Sequence, residues 1–474
     1  MGGDDNKNIA DAIMDMAKGL ESGNGDLASI LSQPQIMNEL LGEVTGKKRS
    51  IDEVDNDADD GDNDNDNDND EKEEEETEQT ILEEYKLWRK NCRYMYSFVS
   101  ETALTWPSLS IQFIKSNTFE NKMKDSKFGV TRNLLLTTHS NGEDDDFIKL
   151  ASLQLPKSFI KKDFKLTNEE LETVNSRLKI NKKFKQDIEV NKIRVNPFNS
   201  NIWSSINAKG EVFIYNIDSK MNEISKIELK HHKLNGFGLS WNPNNQFQLI
   251  TGSEDKSIAI WDYNKSNLPN KIYNIHNNFV NDVRFSFKKE NLFGSVGEDK
   301  FFCIGDIRED KILNKKILNK DTSFNSFTFS KFSENLILFG GEDSNNYIYD
   351  LRKLDNCLHT LIGHKKAVTN VEWDPFHENI VASSSMDRRV ILWDLNKIGE
   401  EQLQEESEDG VPELLMMHGG HTGGVNDFTF NNEIEWCLAS CSDDNIVHVW
   451  GVKDEIVFNN DEEFDVDVDP SILE

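Results

Sequence analysis

Histidine and aspartate recur in this sequence at fixed intervals, and such pairs are raw material for proton transfer and metal binding. An aspartate stands six positions before each of five regularly placed marks: Asp255, Asp299, Asp343, Asp387 and Asp444. A histidine stands 29 positions before four of those marks: His232, His276, His364 and His421. A catalytic site needs one such pair, not a series. The repetition assigns these side chains to hydrogen bonds that tie turns together. No Ser/His/Asp spacing, phosphate loop or HExxH motif competes with that reading. The sequence therefore reads as a non-catalytic binding protein with no metal or cofactor. A different chemistry lies between residues 390 and 450. There an acidic loop at 400–409 runs into an apolar tetrad, Leu414, Leu415, Met416 and Met417. Carboxylates beside apolar side chains suit a basic, amphipathic partner, buried on one face and oriented by charge-assisted hydrogen bonds.

The marks themselves define the elements that must position this loop. Tyr215, Trp261, Gly305, Tyr349, Trp393 and Trp450 follow one another at steps of 46, 44, 44, 44 and 57 residues. A step near 44 is that of four-stranded propeller blades. The last step is 13 residues longer than 44, so an insertion at 399–417 interrupts the final unit. Leu109, Ile111 and Phe113 alternate with Ser108, Ser110 and Gln112, which predicts a half-buried strand. Residues 102–155 supply one more blade without a Trp end. The predicted fold is all-β, a seven-bladed propeller over 99–458. Ahead of it, Thr80 and Glu83 form a capping-box pattern, and Ile81, Leu82, Tyr85 and Trp88 share a helical face. A helix of about three turns over 79–98 should dock on a blade. A lysine-rich connection at 156–188 has no role legible in the sequence; Thr167 to Arg177 suits a short helix.

Composition bounds the rest. The 474-residue chain carries a net charge of −33, and 17 acids against one lysine fall in 52–78 alone. That run self-repels and buries no core, so 1–78 is expected to be a disordered acidic extension. A second acidic tail follows at 459–474. Such a chain repels phosphates and is a poor direct nucleic-acid binder. It suits the cationic proteins that bind DNA. No apolar stretch is long enough to span a membrane. The five cysteines lack CxxC pairing, which fits a reducing interior, and Lys47-Lys48-Arg49 is a short nuclear-import pattern.

Several stretches resemble one family. They are EEYKLWRKN…ALTWPSLSIQF at 83–113, LFGSV at 292–296, DRRVILWDLNKIGEEQ at 387–402, EDGVPELL at 408–415 and HGGHT at 418–422. Together they resemble the retinoblastoma-binding, histone-binding WD-repeat proteins, which include the small subunit of chromatin assembly factor. The resemblance implies a histone chaperone or scaffold that acts in chromatin assembly, deacetylase, acetyltransferase or Polycomb-type complexes, in the nucleus and also in the cytoplasm. Its partner would be histone H4, with H3. By motif match, Leu87 on the helix, and Tyr94 and Met95 after it, would line a side groove for the first H4 helix. Glu406 and Asp409 would face a histone arginine, and Met416 and Met417 would meet the apolar face. The family's paired prolines are Val411-Pro412 here.

The resemblance also implies an acidic channel mouth on the top face, where a basic H3 tail enters. Glu189, Asn191 and Lys192 keep the family's E-x-N-basic pattern. Elsewhere Asn235 stands where a Glu is usual, Phe237 replaces Tyr, and Asn281, Ala367 and Thr369 replace further matching positions, while Glu298 keeps its acid. The expectation is a working side groove and a weak or re-specialised top channel. Two rivals share the propeller. One is an acidic WD-repeat chaperone of ribosome assembly. The other is a ubiquitin-ligase receptor, suggested by the D-x-R patterns at Asp306–Arg308 and Asp350–Arg352.

Overall fold

Every unit between marks folds into an antiparallel sheet of four strands, and seven such sheets form the ring. The computed structural model describes residues 77–115, 125–161, 164–218, 223–402 and 410–457. The extension 1–76 and the tail 458–474, on which the disorder expectations fall, lie outside them. Blades 2 to 6 take consecutive strands. Their inner strands are Val190–Val195, Gly236–Trp241, Val280–Phe285, Phe324–Phe329 and Val368–Trp373.

The aspartate and histidine rulers tie the turns as their spacing implies. In blade 3, His232 Nδ1 lies 3.0 Å from Asp255, and its Nε2 and Trp261 Nε1 both meet Thr251 Oγ1 at 2.8 Å. The same relay runs His364–Asp387 at 2.9 Å, with Ser383 shared by His364 and Trp393. Blade 4 has Gly305 in place of the Trp. There a Cβ would meet the Phe293 ring at 2.3 Å, so the phenyl of the neighbouring strand fills the vacated space.

Closure differs from expectation. Strand Tyr96–Ala103 pairs with Ile446–Val452 and completes blade 7, with Val99 opposite Trp450. The expected boundary after residue 98 thus falls inside a strand. Blade 1 begins at Ile111 and takes its outer strand, Lys179–Gln186, from the lysine-rich connection that had no assigned role. Within that connection Thr167 caps a short helix, Asn168–Glu172, with both bonds of a capping box. Ser108 and Ser110 are buried, not solvent-facing as the alternation predicted. Ser110 Oγ donates to Asp427 at 2.8 Å.

That bond belongs to a polar plug across the ring's axis. Lys192 pairs with Asp282 at 2.9 Å, and Arg284 reaches Asp282 at 2.8 Å and Asn370 at 2.7 Å. Asn370 donates to Asp427 at 2.8 Å, and Arg194 meets Asp427 at 3.1 Å. Apolar clusters lie between blades, outside this axis.

Candidate functional site

The N-terminal helix, α1, spans Glu78–Met95, five turns rather than three. Its N-cap is Thr77, whose Oγ1 accepts from Thr80 N, so the cap lies one turn before the predicted Thr80. Ile81, Tyr85, Trp88, Cys92 and Met95 recur at spacings of four and three and make the inward stripe. Leu82, expected on that stripe, is exposed. Tyr94 and Met95 are the helix's last turn and do not follow it. Leu87 and Tyr94, seven residues apart, are 60% and 46% exposed, an apolar pair turned to solvent on one face.

Trp88 anchors the helix. Its indole Nε1 donates to Tyr96 Oη at 2.9 Å, and Tyr96 Oη lies 2.7 Å from His418 Nδ1. His418 Nε2 meets His448 Nδ1 at 2.9 Å, and His418 stacks on Trp450. An indole N–H can only donate, so Tyr96 accepts there and has its own proton free for His418 Nδ1. Gly420 makes the approach possible: a Cβ there would stand 2.5 Å from the Trp88 ring. Glu84 adds an ion pair to Arg388 at 3.0 Å. Because Met95 runs straight into the closing strand at Tyr96, ring closure fixes where the helix lies.

Nitrogens of His418, His421 and His448 come within 4.8 Å of one another. Stacked rings do not aim lone pairs at one point. His421 spends both nitrogens on Asp444 and Ser440, and His418 spends both on Tyr96 and His448. The cluster is an interior hydrogen-bond chain. Burial first, then neighbouring His421, holds His418 and His448 well below the ordinary histidine range. The unfolded chain therefore takes up protons below about pH 6.5 that the folded chain refuses. Their contribution to stability is complete above that pH and declines as pH falls, approaching ~1.4 kcal/mol per pH unit for each proton. Asp444 and Asp282, each held at about 2, lose theirs only below the ordinary carboxylate range. Urea unfolding at pH 8, 6 and 5 should show the decline beginning well above the carboxylate window. A flat profile from 8 to 5 would refute it.

Beside α1 stands the insertion. It leaves strand Val390–Asp394 through a 3-10 turn and returns as the outer strand Leu414–His418 of blade 6. Asp394 N donates to Glu413 O at 2.8 Å, and the buried Glu413 carboxylate meets His359 on the neighbouring blade at 2.6 Å. The whole tetrad is strand. A bulge between Leu414 and Met416 sets its faces. Leu415 and Met416 join Tyr85, Trp88, Cys92 and Met95 in one cluster, whereas Leu414 and Met417 pack with Trp393 and Leu361 on the opposite face. Met416 and Met417 therefore do not share a groove wall, and Met416 is buried beneath the helix. Glu406 and Asp409 lie outside the described residues.

On the top face, a cavity of about 370 Å3 is lined by Asn191, Lys192, Phe237, Asn281 and Glu298, and also by Glu254 and Asp427. Lys192 points into the plug. Asn191 pairs with Asn235, Glu189 faces His139 at 2.9 Å, and Asn281 donates to Glu298 at 3.2 Å. Sequence reasoning missed Glu254. Its signal was present: the residue just before the turn aspartate is acidic in three successive units, Glu254, Glu298 and Glu342. The mouth is thus less depleted of carboxylate than its inner-strand positions indicate. The D-x-R arginines fold back, Arg308 onto Asp306 and Arg352 onto Asp350, each at 2.6 Å.

Comparison with known proteins adds two family models and a set of relatives. Residues 83–157 match the model of the histone-binding protein RBBP4 and its counterpart in the CAF1 complex. The WD domain, G-beta repeat model matches 225–262, 355–394 and 412–451. The histone acetyltransferase type B subunit 2 of Debaryomyces hansenii is 42% identical over 390 residues, 79% of this chain and 91% of that protein. Its Candida albicans counterpart is 41% identical over 82% of this chain and 97% of its own length. The Schizosaccharomyces pombe protein of that name is 38% identical over 84% and 95%.

Proposed function

This chain belongs to the family of the histone acetyltransferase type B subunit 2 proteins, and from that premise we propose how it works: it is a histone-binding subunit of histone-modifying complexes, and it holds the first helix of histone H4 between α1 and the blade 6 insertion. One observation carries this reading. The match to the histone-binding family model covers most of the helix that Trp88 anchors, and that helix keeps Leu87 and Tyr94 turned to solvent. An amphipathic helix laid on such a face is held through apolar side chains at helical spacing. Glu406 and Asp409 supply the carboxylates for a histone arginine. Met416 contributes by seating α1 rather than by touching the histone.

The relatives' names favour acetyltransferase complexes as its setting and histones over ribosome assembly. Catalysis then belongs to another subunit. Membership of assembly, deacetylase or Polycomb-type complexes, and residence in the nucleus, extend the same proposal. The net charge of −33 works against direct nucleic-acid binding. Glu254 and Glu298 at the top cavity favour a second, weaker place for a basic tail, which a separate H3-tail titration measures.

Titration of an H4 helix peptide tests the groove. Leu87→Asp should weaken binding by at least about 2 kcal/mol, roughly 30-fold, the size of an interface hot spot. Its thermal stability should not change, because Leu87 buries little. Asp409→Ala should weaken binding by about 1.5–3 kcal/mol, as for a lost hydrogen bond to a charged group. Wild-type affinity in both variants would remove the groove from the reading.

A further inference from the structure

The ring's axis is electrically polarised. Each inner strand starts at the top mouth and ends at the bottom one, and the plug separates two cavities. Glu254, Glu298 and Asp427 line the upper cavity. The lower one, about 330 Å3, is lined by Lys115, Lys192, Arg194, Arg284 and Lys331, with Glu372 as its acid. Three plug cations, Lys192, Arg194 and Arg284, face two plug carboxylates, Asp282 and Asp427. Lys115 and Lys331 face Glu372. The region keeps two positive charges in a chain whose net charge is −33.

Lys331 is the uncommitted cation. Among the described residues it has no hydrogen bond or ion pair, and the Phe287 ring 5.8 Å away is its neighbour. Burial lowers its ammonium below the ordinary lysine range, against the pull of Glu372 and Asp374. An ammonium left in a recess without a counter-charge gains from any anion that enters. Arg284 spends Nε and Nη2 on the plug, which fixes its guanidinium at the cavity's roof. Hydroxyl and amide groups of Ser240, Thr328, Thr429 and Gln112 stand around it, and Trp241 and Trp373 form apolar wall. A volume near 330 Å3 is at the small end of ligand pockets.

We propose that the lower cavity is a binding site for a compact, phosphate-bearing small molecule, held by Lys331 and Lys115 beneath the Arg194–Arg284 roof. It is separate from both histone surfaces and uses no residue of either. The positive field of a cavity with low-dielectric walls draws such an anion in against the repulsion of the whole chain.

Calorimetric titration of inorganic pyrophosphate into the full chain, at constant ionic strength, tests it. Saturable binding at one site per chain is expected. K331Q should weaken it tenfold or more, and K331R should keep most of it. E372Q should tighten it several-fold, a reversal that loss of structure cannot mimic. The melting temperature of each free variant should stay near wild type. Absence of saturable binding at millimolar pyrophosphate overturns the proposal. So does an isotherm that K331Q and E372Q leave unchanged, since the anion would then sit elsewhere.

Discussion

Asp282→Ala should destabilise the propeller by about 3–5 kcal/mol, the cost of leaving buried charge without its partner. Burial alone would push the Asp282 carboxyl up, but Lys192 and Arg284 beside it reverse this and hold it at about 2. Its side chain is about 1% exposed, so water cannot take the place of the lost carboxylate. Both cations would remain in the plug, with Ser326 Oγ and Arg284 Nε losing their acceptor. Asp282→Asn keeps the shape and should cost less. The midpoint of urea unfolding measures both variants. A loss under ~1 kcal/mol for the alanine variant, the size of a surface pair, would mean that the plug is hydrated and carries little.

Trp88→Ala should release α1 from the ring. Truncating a buried tryptophan costs about 3–5 kcal/mol. Here the change also strands Tyr96 Oη in a buried chain of hydrogen bonds and opens a void beside Gly420 and His448. An 18-residue helix is marginal by itself in water, so it cannot stay formed without that anchor. The loss in global stability is capped at the docking free energy of the helix, because the seven sheets remain. Hydrogen exchange over 78–95 should rise to nearly unprotected rates, and binding of an H4 helix peptide should disappear with it. Protected amides in that segment of the variant would show that Tyr85, Cys92 and Met95 hold the helix without Trp88.

The two experiments probe different kinds of legibility. Trp88 was readable as an inward residue because helical spacing is a local property, and Ile81, Tyr85 and Trp88 repeat it within two turns. Leu82 was misassigned because four apolar residues fit a broad face, and only the width of the contact with blade 7 decides which are covered. The start of the helix was misplaced by one turn because Thr77 and Thr80 are both good caps. Choosing between them depends on how far the docked helix extends.

The repeat period, the turn aspartates, the loop histidines and the acidic insertion were set by the sequence by itself. Each is a short-range pattern, and each blade closes its His–Asp–Trp relay within one unit. Tertiary structure alone decided what closes the ring and what fills its axis. Strand Tyr96–Ala103 reads as a continuation of the helix segment until Ile446–Val452 is there to pair with it. Ser110 reads as a solvent-facing residue until Asp427 arrives from the far end of the chain. Lys192 and Asp282 are 90 positions apart, and Arg194 and Asp427 are 233. Met416 and Met417 read as one apolar wall until a bulge at Leu415 and strand alternation send them to opposite faces. The reason is the same in each case. A period records how one blade folds, whereas closure and the axis bring together residues from separate blades, and no local spacing encodes which of them meet.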